Sequence, residues 1–259
     1  MTSSPQLILT ALPGLPLVSQ GDDLVKLALD GLARAGIVLQ SGDILAIAQK
    51  IVSKVEGQII HLKEVVPSQE AIALAQKTDK DPRLVQLILQ ESNRVLRSRP
   101  GLIIVEHRLG FVCANAGIDS SNVGPQTNAV EGSVLLLPKN PDASANEMAS
   151  QLMQETGSKV GVLIIDSHGR AWREGAVGVT IGAAGLTTLL DLRGTPDLFG
   201  RQLQTTQVGI SDELASAASI LMGQAAECRP IVHIRGFPYP LGEGSLKDLL
   251  RPKEQDLFQ

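Results

Sequence analysis

Aromatic side chains are scarce in this 259-residue chain: four phenylalanines, one tyrosine and one tryptophan. A surface that stacks nucleic-acid bases needs several such rings, so a single-stranded nucleic-acid platform is excluded. Charge of one sign is missing too. The formal net charge is −4, with acids and bases mixed along the chain, which leaves no basic footprint for nucleic acid. Cysteine is rare: Cys113 and Cys228 lie far apart and form no CxxC or zinc-type cluster. The longest apolar runs fall well short of the ~18 residues of a membrane span. The N-terminal segment has no basic leader, and Pro13 and Pro16 interrupt its apolar run. These absences predict a protein of the reducing cytoplasm, with neither nucleic acid nor membrane as partner.

What is present is globular: 43% hydrophobic and 19% charged residues can build a real core. Helical spacing marks "GDDLVKLALDGLARAG", closed by Gly36. "GDILAIAQKIVSK" reads as a buried strand, 44–48, running into a polar loop. Helices are expected over "SQEAIALAQK" and over "DPRLVQLILQESN", with Asp81 as cap and Pro82 first in the helix. "GLIIVE", "GFVCA", "SVLLLP", "VGVLIID" and "PIVHIRG" read as strands, the fourth of the doubly buried parallel kind. "DASANEMASQLMQETG" is expected to be a helix with a Ser144–Glu147 capping box and a terminating Gly157. "SDELASAASILMG" is expected to be another, capped by Ser211. Strands and helices alternate irregularly, which predicts an α+β fold with mixed sheets and packed helices.

Standard nucleotide loops are missing. There is no GxxxxGK[ST], and Gly175, Gly178, Gly182 and Gly185 do not form GxGxxG. Close backbone packing is the plainer role for those glycines. Carboxylates are more informative. Asp166 ends the strand "VGVLIID", where α/β proteins bind ligands, although a cap or turn role suits it equally. Asp119, in "NAGIDSSN", is open in the same way. Two acids from separate loops could hold Mg²⁺ or Mn²⁺, with Ser167 and Gln224 as neutral oxygens. Lys50 and Lys54, four apart, could neutralise phosphate or share a solvated helix face. His168 neighbours a candidate acid. His61, His107 and His233 read as surface or strand positions without a role, and Cys113 reads as core.

Six stretches in order, "GLPLVSQGDDL", "QKIVSKVEG", "NAGIDSSNV", "LLLPKNPDASA", "GVLIIDSHGRAWREGAVGVTIG" and "DLFGRQLQTTQVGISDELASAASILMGQ", resemble the coenzyme F420-0:L-glutamate ligases, or γ-glutamyl ligases, from about Leu9 to Gly244. The resemblance implies GTP-dependent addition of L-glutamate to the deazaflavin precursor, then a second γ-linked glutamate, through an acyl phosphate, releasing GDP and phosphate. It implies a homodimer and an unusual α+β fold, neither P-loop nor ATP-grasp. It further implies a single ligase domain over 1–259, as one unit or two intimately joined subdomains, without the C-terminal flavin-binding domain of some relatives.

By the same resemblance, Leu15, Pro16, Leu17 and Val18 form a guanine-nucleotide segment, and Gln49, Lys50, Lys54 and Asn122 fall on nucleotide positions. Ile220, Leu221, Met222, Gly223, Gln224, Ala225, Ala226 and Glu227 form a second nucleotide segment. Asp119, Asp166, Ser167 and Gln224 would hold one or two divalent ions, with K⁺ a candidate monovalent ion. Turnover would depend on Asp119, Asp166 and Lys54. Ser167 stands where threonine is common in the family. The loop "GPQTNAV" after Asn122 is longer than in many members.

Overall fold

The computed structural model describes residues 4–124 and 132–257. Strand β1 (Ile8–Ala11) and helix α1 (Leu24–Arg34) come first. β2 (Ile44–Ala48) runs directly into α2 (Gln49–Val55), and β3 (Ile59–His61) follows. Helices α3 (Gln69–Thr78) and α4 (Pro82–Gln90) precede strands β4 (Ser92–Arg99), β5 (Leu102–His107) and β6 (Val112–Ala114). β7 (Ser133–Leu135) leads into α5 (Pro141–Thr156). A long hairpin, β8 (Gly161–Arg170) with β9 (Arg173–Ala184), is followed by the short pair β10 (Leu190–Asp191) and β11 (Gln207–Val208). Helix α6 (Ile210–Met222), β12 (Ile231–Arg235) and α7 (Leu246–Leu249) come last.

The central sheet has the order β1-β12-β2-β8-β9. Only β2 and β8 run parallel; its other pairs are antiparallel. Alternation along β2 and β8 feeds two cores. Leu45, Ile47, Val162 and Ile164 face α1 and α5, whereas Ile44, Ala46, Leu163 and Ile165 face α6. Each fully buried leucine or isoleucine contributes about 1.5–3 kcal/mol. A separate antiparallel sheet, β4-β5-β6, packs against α3 and α4 through Ala71, Val85, Ile88, Ile103 and Val105. The fold is therefore α+β with mixed and antiparallel sheets, as the sequence predicts. Among the described residues no helix is long and apolar enough to cross a membrane.

Several ends follow the expected chemistry. Asp81 accepts from the Arg83 amide at 2.8 Å ahead of Pro82. Gly36 takes a left-handed turn while the amides of Gly36 and Ile37 reach the carbonyls of Ala33 and Leu32. Gly157 ends α5 in the same left-handed conformation.

Other expectations are corrected. The segment after Ala48 is helix α2, not a polar loop. Asn140, not Ser144, caps α5 by accepting from the Ala143 amide at 3.2 Å; Ser144 lies inside the helix and donates to Glu56 at 2.7 Å. Ser211 is buried inside α6, which starts one residue earlier behind Gly209. Asp166 does not end its strand, because β8 continues to Arg170 in the hairpin with β9. Strand β4 was not foreseen: exposed arginines along a sheet edge carry no period-two apolar signal.

The glycines of β9 do pack backbones closely. A Cβ on Gly182 would sit 2.5 Å from the carbonyl carbon of Pro141 in α5, and one on Gly178 would overlap the Ala215 carbonyl in α6. Both helices are thereby drawn onto the two faces of one strand. At the far end of the chain, Lys253 (2.9 Å) and Arg94 (2.7 Å) pair with buried Glu106, tying the C-terminal segment to β4 and β5. Lys253 first and Arg94 next hold the Glu106 carboxyl down at about 2, against the opposing push of burial.

Two measurements follow. Gly182→Ala should cost about 1–3 kcal/mol in urea unfolding by overpacking. Gly169→Ala, whose methyl meets nothing within 4 Å, should stay within about 0.5 kcal/mol. Glu106 has a folded value below its usual 4.5. Its contribution is therefore complete above that value and is lost as pH falls toward about 2. The stability gap between the protein and Glu106→Gln should be widest near neutral pH and close under acid; a gap independent of pH would refute the pairing.

Candidate active site at the carboxyl ends of β2 and β8

Parallel pairing brings two chain directions out at one edge. Ala48 is opposite Ile165, so Gln49 and Asp166 follow the last parallel pair side by side, Gln49 entering α2 and Asp166 continuing in the β8–β9 hairpin, where ligand crevices form in α/β sheets. Asp119 arrives from elsewhere. After β6, three left-handed residues, Asn115, Ala116 and Gly117, turn the chain sharply. For Ala116 that conformation costs about 1–2 kcal/mol. Asp119 then pairs with Leu135 through reciprocal backbone bonds of 2.9 Å. Its carboxylate is held by Lys50 Nζ at 2.8 Å and by Gln49 Nε2 at 2.7 Å. Gln49 is buried, and its own oxygen accepts from Ser53 at 3.0 Å.

Burial pushes the Asp119 carboxyl above its usual value and the charge of Asp166 adds to the push, while Lys50 and Gln49 oppose it. The two acids thus share one electrostatic neighbourhood. Asp166 Oδ2 lies 2.9 Å from His168 Nε2. Strand alternation separates the next residue: Asp166 and His168 continue the face of Val162 and Ile164, and Ser167 continues that of Leu163 and Ile165. On that second side, beyond the end of α6, Ser167 Oγ donates to Gln224 Oε1 at 2.9 Å. Of the four expected metal ligands, Ser167 and Gln224 bond each other, whereas Asp119 is held by Lys50 and Gln49 and Asp166 by His168.

Among the described residues no cluster of three or more His, Cys, Asp or Glu side chains gathers in a metal-holding arrangement. The donors still suit hard cations, carboxylate oxygens on one face of β8 and neutral oxygens on the other, with Asp119 already balanced by the Lys50 ammonium. Lys50 also reaches the carbonyl of Ser121 at 3.2 Å. One turn on, burial and then the like charge of Lys50 hold Lys54 below its usual value, opposed by nearby Cys228.

Asn122, at φ 57°, donates to the Ala225 carbonyl at 2.9 Å and joins the Asp119 loop to the segment after α6. Gly223 there takes φ 75°, and Glu227 folds over it to accept from the Ala225 amide at 2.9 Å. Ile220 is exposed, Leu221 half-buried, Met222 buried and Ala226 exposed. Leu15 to Val18 lies beside α2: Gly21 donates to the Val55 carbonyl at 3.1 Å, and Gln20 covers Gly57. Val18 is buried, Leu15 half-buried, and Pro16 and Leu17 are exposed. Among the described residues, no hydrogen bond or ion pair joins Leu15–Val18 to the acids. Of the loop "GPQTNAV", residues 125–130 lie outside the described residues.

Cys113 is core, as read; burial first and Asp166 next push its thiol up to about 12. His61 bonds Ser133 at 2.7 Å between β3 and β7, and buried His107 and His233 sit on β5 and β12. Sequence reading missed the support behind Asp166. His168 packs on Phe111 at 5.2 Å, and Phe111 stacks on His107 at 5.1 Å. The spacing of two between Asp166 and His168 carried that signal, but only for a strand extended past Asp166.

The family model for F420-0:gamma-glutamyl ligase matches residues 14–236. The chain belongs to that family. It is 48% identical to the coenzyme F420:L-glutamate ligase of Methanothermobacter thermautotrophicus over 97% of this chain and 98% of the relative. The Methanocaldococcus jannaschii protein of the same name is 48% identical over 85% and 86%, and that of Methanopyrus kandleri 44% identical over the full length of both.

The ion pair of Lys50 with Asp119 is testable without ligand. Lys50→Met and Asp119→Asn, alone and combined, should show a coupling of about 1 kcal/mol in urea unfolding, as expected for a partly buried pair. Simple additivity would mean that the pair does not form in solution.

Proposed function

We propose that this protein is a GTP-dependent ligase that adds L-glutamate to coenzyme F420-0 and then adds a second, γ-linked glutamate. The observation that carries the reading is Asp119 held by Lys50 and Gln49 of α2, with Asp166 just past the last parallel pair of β2 and β8, on a chain of the γ-glutamyl ligase family. Amide formation from a carboxylate requires activation, since hydroxide leaves poorly. The terminal carboxylate of the precursor attacks the γ-phosphorus of GTP, the bridging oxygen departs with GDP, and an acyl phosphate forms. The glutamate amine then attacks the acyl carbon, phosphate leaves, and the nitrogen loses its proton.

In this scheme Asp119 and Asp166 hold Mg²⁺ or Mn²⁺, with Ser167 and Gln224 on the opposite face of β8 serving a second cation. A bound divalent ion supplies charge neutralisation to phosphate oxygens. Lys50 and Lys54 offset the negative charge that spreads over the phosphates during transfer. Asn122 and the residues after α6 line the nucleotide, together with Leu15–Val18. Leu17 and Ile220, each 79% exposed, are suited to the face of a purine. The residues bind, orient and neutralise, and no protein nucleophile is required. Leu198 and Phe199, 97% and 94% exposed between β10 and β11, support assembly as a homodimer. A cytoplasmic setting suits these substrates, and K⁺ is a further ion to vary in assay.

Mass spectrometry of F420-0 incubated with enzyme, L-glutamate, Mn²⁺ and each nucleotide in turn tests the reading. Products carrying one and then two added glutamates are expected with GTP. GTP binding without any addition would point to a different carboxylate substrate. Asp119→Asn and Asp166→Asn should each lower turnover about a hundredfold or more, equivalent to several kcal/mol, with unchanged unfolding cooperativity. Normal metal-dependent turnover in both variants would remove the two-aspartate site.

A further inference from the structure

We infer that His168 is a positioning residue for Asp166, and that the ring ladder behind it sets the carboxylate's direction from the neighbouring sheet. The inference rests on the reading of Asp166 as a cation ligand. Its basis is geometric. Asp166 and His168 are two apart on β8 and leave the same face, with Nε2 2.9 Å from Oδ2. A carboxylate oxygen only accepts, so Nε2 carries the proton in this contact, and neutral imidazole suffices. Both side chains are nearly buried, at 13% and 12% exposed, which limits competition from water for the bond.

The imidazole is not free to swing. Phe111 lies against it with ring centroids 5.2 Å apart and planes tilted by 50°. On its other side Phe111 stacks nearly flat on His107, at 5.1 Å and 5°. His107 is fully buried, and its Nδ1 accepts from the Leu109 amide at 3.0 Å, which leaves its proton on Nε2, 3.6 Å from Glu91. Phe111 contacts both the core beneath α1 and α5 and the core beneath α3 and α4. One aromatic side chain thus transmits the position of the β5–β6 turn to the β8 carboxylate. Asp119 comes after β6 but bridges Leu135 of β7 instead. The two acids are therefore aimed from different sides: Gln49 and Lys50 of α2 hold Asp119, and the ring ladder holds Asp166. Partners that fix a ligating carboxylate in this way are worth about 10–100-fold in metal affinity.

The probe is Mn²⁺ itself, added to ligand-free full-length protein, with free Mn²⁺ counted from its electron paramagnetic resonance signal. Thermal unfolding of each variant is recorded beside it. His168→Ala is expected to weaken Mn²⁺ binding about tenfold or more. His168→Gln, whose amide N–H can occupy the place of Nε2, should remain within about threefold of wild type. Phe111→Leu keeps the imidazole but removes the ring wall, and should fall between the two. Should His168→Ala fold poorly, His168→Asn, which is too short to reach, replaces it. Wild-type Mn²⁺ affinity in His168→Ala, with Asp166→Asn impaired, would overturn the positioning role and leave the proposed function standing. Equal losses in the Ala and Gln variants would also overturn it, because packing alone would then explain the effect. Unaltered binding in Asp166→Asn would overturn the cation reading and this inference together.

Discussion

The parallel pairing of β2 with β8 is the constraint on which the rest depends. In a sheet whose other pairs are antiparallel, it alone sets two neighbouring strands side by side in the same direction. Past their last parallel pair, the first delivers Gln49 and Lys50 on the first turn of α2, and the second delivers Asp166 within the continuing β8. Registration between them is enforced by burial on both faces, since a slip of one residue would exchange the α6 core with the α1–α5 core. The glycines of β9 serve the same end from the neighbouring strand, admitting α5 and α6 close enough to seal both faces.

A second layer of constraint comes from the β4–β6 sheet. It carries Asp119 on a left-handed turn and braces His168 through Phe111. The charges at the site are thus assembled from two units that share few hydrogen bonds. What joins them is mostly side-chain contact: Gln49 and Lys50 to Asp119, Asn122 to Ala225, Phe111 to His168. Such contacts act as a set, so alteration of one changes the geometry available to the others.

Much of this fold was legible in the sequence, and the boundary of legibility is physical. Strands β2 and β8 announce themselves as apolar runs buried on both faces, and α1, α4 and α5 through their terminal residues. Helix α2 does not, because no side chain caps its start and a strand runs straight into it. The outer half of β8 is hidden by polar residues and glycine, and β4 by its exposed arginines. Candidate site residues were named through motif resemblance, and residue spacing alone left each acid open to a turn or capping role. The division of Asp166 from Ser167 across a strand, and the ring ladder behind His168, required the extension of β8 that its polar residues conceal.

Lys50 Nζ lies 2.8 Å from the Asp119 carboxylate. A carboxylate already matched by an ammonium presents little net field at a distance, so it does not recruit a free cation over long range. Under the proposed function, entry of a divalent ion is a counter-ion exchange, in which an ammonium is released to somewhere no less favourable. An incoming polyphosphate is such a place. On the same proposal, the pair opens more readily to a metal–nucleotide complex, which offers a partner to each half, than to a metal ion alone. A metal ion alone competes with the Lys50 ammonium for Asp119, whereas beside a polyphosphate the ammonium has a partner of its own.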